Sequence, residues 1–309
     1  MNLEDFKITS GINSHQNASI ERNEKTIDYS SSKPLSYADI LSITKGLNVI
    51  SEFFDVNAVV TVSGTNISAV ALGKSLEEAI VQAMDSNPLD FVNANVVVSA
   101  EIDSDAAKML KGVNIIIAPK FTKNAVEYLD SHDICYVSIE TPLKDYKKYL
   151  SNETIVTPLG TLVQTPNLSE LDKETFKVVS KNKPTVEQIE DAVFAWKVAK
   201  HAKSQAVVIA KDLKTSAVAQ GLRSDASEYA LNAACERAKD AVLASDIPLD
   251  VHDINAAIQC RIALVIVPSA SSKVVETVDK YGLALITTGI TNKSVSYTHL
   301  RAHETLMNL

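Results

Sequence analysis

The chain has 309 residues, 46 % apolar and 22 % charged, with a formal net charge of −8 and a pI near 5.3. That length is enough to bury a large core in one or two compact units. The acidic balance excludes a binder of nucleic-acid backbone, which needs a basic excess to release counterions.

The first residues, MNLEDFKITS, hold no apolar stretch of the kind a secretory signal needs. Residues 1–34 are polar and rich in Ser and Asn, and are expected to form an extended arm ordered by docking. A first unit over 35–140 begins with a strand at Ala58–Val62, a second strand at Ser68–Leu72 and a helix at Ser75–Met84. Strands and helices then alternate. The stretch 141–190, with Pro142, Pro158, Pro166 and Pro184, reads as a connector. A second unit over 191–293 repeats the order, with strands at Ala206–Ala210 and Ser216–Ala219 and a helix expected over Ala226–Ala241. Residues 294–309 fit neither unit. SYTHLRAHETLMNL reads as translated adaptor or vector sequence, and its His299 and His303 are set aside as metal ligands.

The two units match as sequence. AVV at 58–60 recurs at 206–208, ISAVALG at 67–73 as TSAVAQG at 215–221, and IIIAPKFTKNAVEYLD at 115–130 as LVIVPSASSKVVETVD at 264–279. Between these, VVVSAEID at 96–103 corresponds to AVLASDIP at 241–248. Such ordered self-similarity marks an internal duplication. Continuous apolar runs such as IIIA and LVIV suit strands covered on both faces by helices. The expected fold is α/β: a duplicated α/β/α sandwich in which an antiparallel hairpin feeds a mostly parallel sheet. No apolar run approaches the roughly eighteen residues of a membrane helix. The scattered Cys135, Cys235 and Cys260 suit buried thiols in a reducing cytoplasm, neither a disulfide framework nor a zinc site.

Several chemistries are excluded by missing motifs. There is no H-x-E with P-C-x-x-C for a deaminase zinc, no glycine-rich dinucleotide or phosphate loop, and no G-x-S-x-G elbow. What stands out is FAWKVAKHAKSQAVVIAKD at 194–212, a helix rich in cations running into an apolar strand. Its Lys197, Lys200 and His201 follow the exposed rhythm and are expected to face solvent or the helix end, where the dipole favours cations. Trp196 and Phe194 belong to the apolar face and are expected in the core.

This stretch resembles FAWKVxKxxKSNAIVxAKD, a signature of the AICAR transformylase family. That family is the formyl-transferring part of a bifunctional purine-biosynthesis enzyme that also carries IMP cyclohydrolase. Further resemblances follow in the family's order. GINSHQ at 11–16 is similar to G-E-N-P-H-Q, LSYADI at 35–40 to L-S-Y-N-N-I, and IIIAPKF to V-I-I-A-P-S-Y. LVQTPN at 162–167 is similar to L-V-Q-x-x-D, AVLASD at 241–246 to A-V-M-A-S-D, and RSDAS at 223–227 to R-V-D-S. The resemblance covers roughly residues 7 to 293 and implies two tandem cytidine-deaminase-like subdomains, without the cyclohydrolase domain.

The resemblance also implies a chemistry. The aromatic amine of AICAR is a poor nucleophile, so transfer of formyl from 10-formyltetrahydrofolate asks for a base on the amine and a cation for the developing oxyanion. In the family a Lys-His pair in K-H-A-N-P-C-G supplies them. Here SGTNISA at 63–69 puts Ser63 and Gly64 in those places, while Asn66 is kept. Other departures are Thr9-Ser10 for Arg-Tyr, DFVNA at 90–94 for S-A-F-G-G, Gln205 for the KSN asparagine and AVAQ at 217–220 for G-x-G-Q. The family's terminal R-H-F-x-H would fall at Thr291–Val295.

The substrate-binding set implied by the resemblance is therefore Asn66, Lys203, Gln205, Arg223, Asp225, Asn13 and His15, with His15 also suited to capping a turn. The expectation is a cytoplasmic, catalytically impaired family protein, a pseudoenzyme that binds an AICAR-like purine ribotide or serves as a dimer partner. The dimer would be with itself or with an authentic transformylase chain. The alternative is an active formyltransferase with a relocated base. A structural potassium is allowed by the resemblance alone, and no other metal, nucleic acid or membrane is expected.

Overall fold

The structure, a computed structural model, describes residues 8–13, 15–171, 176–221 and 225–293. Arg223 and the tail from 294 lie outside the described residues.

The arm contributes strand β1 (Tyr29–Ser31), which pairs antiparallel with the edge of the sheet. Helix α1 (Tyr37–Ile50) starts at Ser36, whose hydroxyl caps the Asp39 amide while the Asp39 carboxylate returns the bond to Ser36. A short 3-10 turn, Ser51–Phe53, leads into the hairpin of β2 (Asn57–Ser63) and β3 (Asn66–Gly73). Then come α2 (Leu76–Ser86), the short α3 (Pro88–Phe91), β4 (Asn95–Val98), α4 (Ser104–Met109), β5 (Ile115–Ala118), α5 (Lys123–Ser131) and β6 (Cys135–Ile139). Residues 143–149 form a 3-10 segment; β7 (Glu153–Thr157) and β8 (Gly160–Gln164) make a separate hairpin, and β9 (Lys177–Val178) follows.

The second run of elements opens with α6 (Val186–His201), capped by Thr185 and Gln188 directly after Pro184. It continues through β10 (Val207–Lys211), β11 (Lys214–Ala219), α7 (Ala226–Ala234), β12 (Val242–Ser245), α8 (Val251–Gln259), β13 (Leu264–Val267), α9 (Ser272–Tyr281) and β14 (Ala284–Thr287). The helix expected over Ala226–Ala241 is shorter. It stops at Ala234 because Cys235 takes φ 49°, ψ −129°, and a 3-10 turn fills Cys235–Ala238. The thiols also depart from expectation: Cys235 is exposed, and Cys135 and Cys260 are only partly buried.

One twelve-stranded sheet carries the molecule, in the order β1-β6-β5-β4-β2-β3-β11-β10-β12-β13-β14-β9. The successions β6-β5-β4-β2-β3 and β14-β13-β12-β10-β11 mirror each other about the β3–β11 contact. Within each, the hairpin and its junction to the next strand are antiparallel and the remaining pairs parallel.

The period-two alternation of strand side chains builds two layers. Val60, Val62, Ile115, Ile117, Val208, Leu264 and Ile266 face the side covered by α1 and α6, a single cluster that spans both halves. Val59, Ile116 and Val98 face α2, α4 and α5, while Val207, Ile209 and Val265 face α7, α8 and α9. Helix α1 lies close on the sheet because Gly46 has no side chain; a Cβ there would stand 2.3 Å from Val97 Cγ2. Phe194 and Trp196, each 2 % exposed, seat α6 as expected.

Candidate functional site

The two halves meet where β3 and β11 run side by side with few ladder bonds. The bridge Lys214–Ala71 and the bond from Leu72 N–H to Leu213 C=O, 3.0 Å, hold one end. Farther along, side chains stand in for the missing ladder. Thr215 Oγ1 accepts from Val70 N–H at 3.0 Å and lies 3.3 Å from Val70 C=O. The Gln220 amide donates to Ile67 C=O at 2.7 Å and accepts from Ile67 N–H at 3.3 Å. Buried backbone groups need such partners, and Thr215, 1 % exposed, gives Val70 both.

Beside this seam, a groove of about 550 Å³ opens between the C-terminal end of α2 and helix α7. Its volume lies in the range of small-molecule sites, roughly 300–1,000 Å³. Ser63, Asn66 and Ser68 line it from the first half, and Gln220, Tyr229 and Arg237 from the second. On the α3 side, Asp90 Oδ2 accepts from Ser68 Oγ at 3.1 Å and Asn87 Nδ2 at 2.9 Å, so its carboxylate is held toward the groove. The Arg237 Nη1 donates to the Asp85 and Ser86 carbonyls, at 3.2 and 2.8 Å, tying the end of α2 to the second half.

The sequence-derived residues divide among three places. Ser63, Gly64 and Asn66 form the β2–β3 turn and its flanks, and Lys203 reaches that turn with its Nζ 2.7 Å from Thr65 Oγ1. Gly64 takes φ +60°, and a Cβ built on it meets nothing within 4 Å, so the turn is open where the family resemblance expects an imidazole. Gln205 instead lines a smaller cavity of about 150 Å³ with Ser227, Asp250 and Asp253. Its loop is anchored by Asp246, 2 % exposed, which accepts from Ser204 Oγ and from Ala206 N–H at 2.8 Å. Burial pushes the Asp246 carboxyl above its ordinary value against those two bonds. Asp225 is exposed at the start of α7. Asn13 and His15 sit in an exposed turn of the arm, where Asn13 Nδ2 donates to Gln16 Oε1 at 2.9 Å. No hydrogen bond among the described residues ties Asn13 or His15 to the groove.

The expectation that Lys197, Lys200 and His201 face solvent or the helix end is overturned. Lys200 is 4 % exposed and its Nζ lies 2.8 Å from Glu52 Oε1 and 2.6 Å from Ser169 C=O. His201 Nε2 lies 3.0 Å from the same carboxylate oxygen, and Lys147 Nζ 3.1 Å from the other. Lys197 donates to the Glu52 backbone C=O at 2.9 Å and lies over the Phe53 ring. Burial alone would raise the Glu52 carboxyl. The His201 hydrogen bond and the Lys200 ammonium outweigh it and hold the group well below the carboxylate range. Burial likewise pushes His201 below its ordinary value, so the neutral ring donates Nε2–H to Glu52. The helical rhythm fails here because the counter-ion lies 148 residues upstream.

A second cationic group was not anticipated either. Lys45, on α1, donates to His201 C=O at 2.9 Å and is half-buried. Its amine is brought down to about 8 by desolvation first and by the charge of Lys203 second, with Glu153 opposing. No signal in the sequence sets Lys45 apart from other helix lysines. For metals, the described residues gather Asp250, His252 and Asp253. One oxygen of each carboxylate accepts from a backbone amide at the start of α8, so the group serves as a helix cap.

Comparison with known proteins agrees with the signature at 194–212. Residues 3–233 match the family model described as AICARFT/IMPCHase bienzyme. The "Bifunctional purine biosynthesis protein PurH" of Anoxybacillus flavithermus (strain DSM 21510 / WK1) is 33 % identical over 268 residues, 84 % of this chain and 52 % of that protein. Its counterpart in Bacillus cereus (strain 03BB102) is 32 % identical over 298 residues, 91 % of this chain and 57 % of that protein. The chain thus spans about half the length of the curated relatives it matches. Among solved structures, Acinetobacter baumannii RibD, form 1, gives a TM-score of 0.25 at 17 % identity over 32 % of this chain and 33 % of that one, which carries no argument. With its signature stretch on α6 and β10 and the family model matching most of its length, this chain belongs to the AICARFT/IMPCHase bienzyme family.

Proposed function

We propose that the protein is a catalytically impaired member of the formyltransferase part of this family, a pseudoenzyme that keeps ligand binding or a role as dimer partner. The ligand class is an AICAR-like purine ribotide, with 10-formyltetrahydrofolate as co-substrate wherever transfer survives. The observation that carries this reading is the pair at the β2–β3 turn, Ser63 on the wall of the groove and Gly64 next to it. Gly64 has no group to accept a proton, and Ser63 has no imidazole hydrogen-bonded to it among the described residues. Loss of a general base alone costs roughly 10²–10⁴-fold in rate, and loss of its cationic partner adds to that without being additive. Asn66 and Lys203 stay at the turn, and Gln205, Arg223, Asp225, Asn13 and His15 complete the proposed binding set. The second reading, an active enzyme with a relocated base, is favoured by Lys45, an amine brought down to about 8 beside Lys203.

The organisation goes with this reading: an arm at 1–34, cytidine-deaminase-like subdomains at 35–140 and 191–293, a connector at 141–190 and a non-native tail at 294–309. The mirrored strand order about β3–β11 supports the duplication. A homodimer, or a dimer with an authentic transformylase chain, is supported by the β7–β8 hairpin. It exposes Val156, Leu159, Leu162 and Val163, and a lone two-stranded hairpin is marginal in water. No helix among the described residues is long and apolar enough to cross a membrane, in keeping with the proposed cytoplasmic location. A structural potassium rests on the resemblance alone.

The test is formyl transfer from 10-formyltetrahydrofolate to AICAR at high protein concentration, with AICAR binding measured alongside. Binding without turnover is expected. Turnover abolished by Lys203→Ala would overturn impairment in favour of the relocated base, and absence of AICAR binding in a folded protein would remove the ribotide.

A further inference from the structure

We propose that Gln220 is a positioning residue for the groove: from the second half of the chain it fixes the β2–β3 turn of the first, so that Asn66 presents its side-chain amide to a ligand. The inference rests on the proposed reading only in taking the groove as the ligand-binding surface. It gives a role to a residue that lies outside both the signature stretch and the proposed binding set.

The turn is a short loop, Gly64-Thr65, closed by the pair Ser63 and Asn66. Loops at hairpin tips are mobile unless something outside the hairpin holds them. Here the chain is held on both sides of Asn66. Before it, Thr65 Oγ1 accepts from Lys203 Nζ at 2.7 Å. After it, Ile67 makes two bonds with the Gln220 side chain, donating N–H to Oε1 at 3.3 Å and accepting at C=O from Nε2 at 2.7 Å. The backbone closes the circuit, because Gly221 N–H donates to Lys203 C=O at 2.8 Å. Gly221 takes φ +68°, a conformation that favours glycine. Residues 203 and 220–221 thus form one clasp around the turn.

A glutamine suits this place. The ladder between β3 and β11 is limited to Lys214 and Ala71, and Ile67 lies beyond it. Ile67 is 1 % exposed, so its N–H and C=O need partners other than water. A primary amide carries a donor and an acceptor side by side, the complement of the N–H and C=O of one residue. Asn66, between the two anchors, is exposed on the groove wall, and its side-chain amide makes no hydrogen bond among the described residues. Holding that amide in place before a ligand arrives removes part of the ordering cost of binding.

The experiment compares the full chain with Gln220→Met, which keeps an unbranched side chain and removes both bonds, by amide hydrogen exchange and by AICAR binding. Exchange at the Ile67 amide should rise about tenfold. Leu243, fully buried in β12, should keep its rate. Equal acceleration at both amides would show a merely structural role and overturn the inference, as would an unchanged rate at Ile67. Gln220→Glu answers the objection that the Met variant is misfolded. It keeps the acceptor for Ile67 N–H, loses the donor to C=O, and should also speed exchange at Ile67 with Leu243 unchanged. In binding, Gln220→Met and Asn66→Ala should each weaken AICAR about tenfold, and the double variant no further than Asn66→Ala alone, because the one acts through the other. Fully additive losses would overturn the action through Asn66. A wild-type chain that binds no AICAR would remove the ribotide reading, and the exchange pattern would then decide by itself whether Gln220 holds the turn.

Discussion

Replacing Glu52 by Gln tests the cation cluster that the sequence misplaces. In the folded chain the Glu52 side chain is 6 % exposed and the Lys200 side chain 2 %. Glutamine keeps the shape and a hydrogen-bond acceptor but removes the charge facing Lys200, leaving its buried ammonium with neutral acceptors only, Ser169 C=O among them. His201 is neutral there, and Lys147 has Glu170 at 3.1 Å as a second partner, so both tolerate the loss better. Breaking a buried pair from one side costs about 3–5 kcal/mol. At about 2 °C per kcal/mol for a chain of this size, Tm should fall by roughly 6–10 °C. Urea unfolding followed by fluorescence of Trp196, the sole tryptophan and one helical turn from Lys200, reads this directly. Removing both charges, as in Glu52→Leu with Lys200→Met, should recover most of the loss, since a buried ion pair is often no better than apolar packing. A loss below about 1 kcal/mol in Glu52→Gln, or a double variant no better than the single one, would refute the assignment of Lys200 as a buried charge neutralised by Glu52. The pH dependence has a definite sign. Glu52 and His201 both have folded values below their unfolded ones, so each contributes stability at neutral pH that is lost on acidification. The His201 part begins to go below about 6.5 and the Glu52 part below about 4.3.

Three further outcomes are expected. Thr215→Val, nearly isosteric, removes both partners of Val70 at the β3–β11 seam and should cost about 1–3 kcal/mol in urea unfolding. On the alkaline side, the Lys45 amine titrates at about 8 in the folded chain and about 10.4 unfolded, so stability should rise between those values by up to about 3 kcal/mol. Lys45→Met should flatten that rise, read from urea midpoints at pH 8 and 10. Leu159→Asp with Leu162→Asp, on the exposed hairpin, should shift sedimentation toward the monomer at micromolar protein while leaving the circular dichroism unchanged. An unchanged sedimentation profile would remove the hairpin from the dimer proposal.

Local sequence made the strands, their order and the family legible. IIIA at 115–118 and LVIV at 264–267 are apolar at every position because both faces of the sheet are covered, and all eight residues are buried. The self-match of ISAVALG with TSAVAQG foretold β3 and β11, and the KSQAVVIAKD run marked the passage from α6 into β10. The turn lacking the Lys-His pair was likewise readable, since it depends on residue identity at 63 and 64 alone. What the tertiary structure decided are contacts between distant parts of the chain. Lys200 and His201 look solvent-facing by helical rhythm, yet Lys200 is buried and His201 partly buried against Glu52, nearly 150 residues away. The fusion of two halves into one sheet depends on Thr215 and Gln220 replacing ladder bonds to Val70 and Ile67, and neither side chain is unusual in sequence. Periodicity reports which face of an element is apolar, a local quantity. A buried charge is set by a partner that only folding brings near, and desolvation then makes that distant partner decisive.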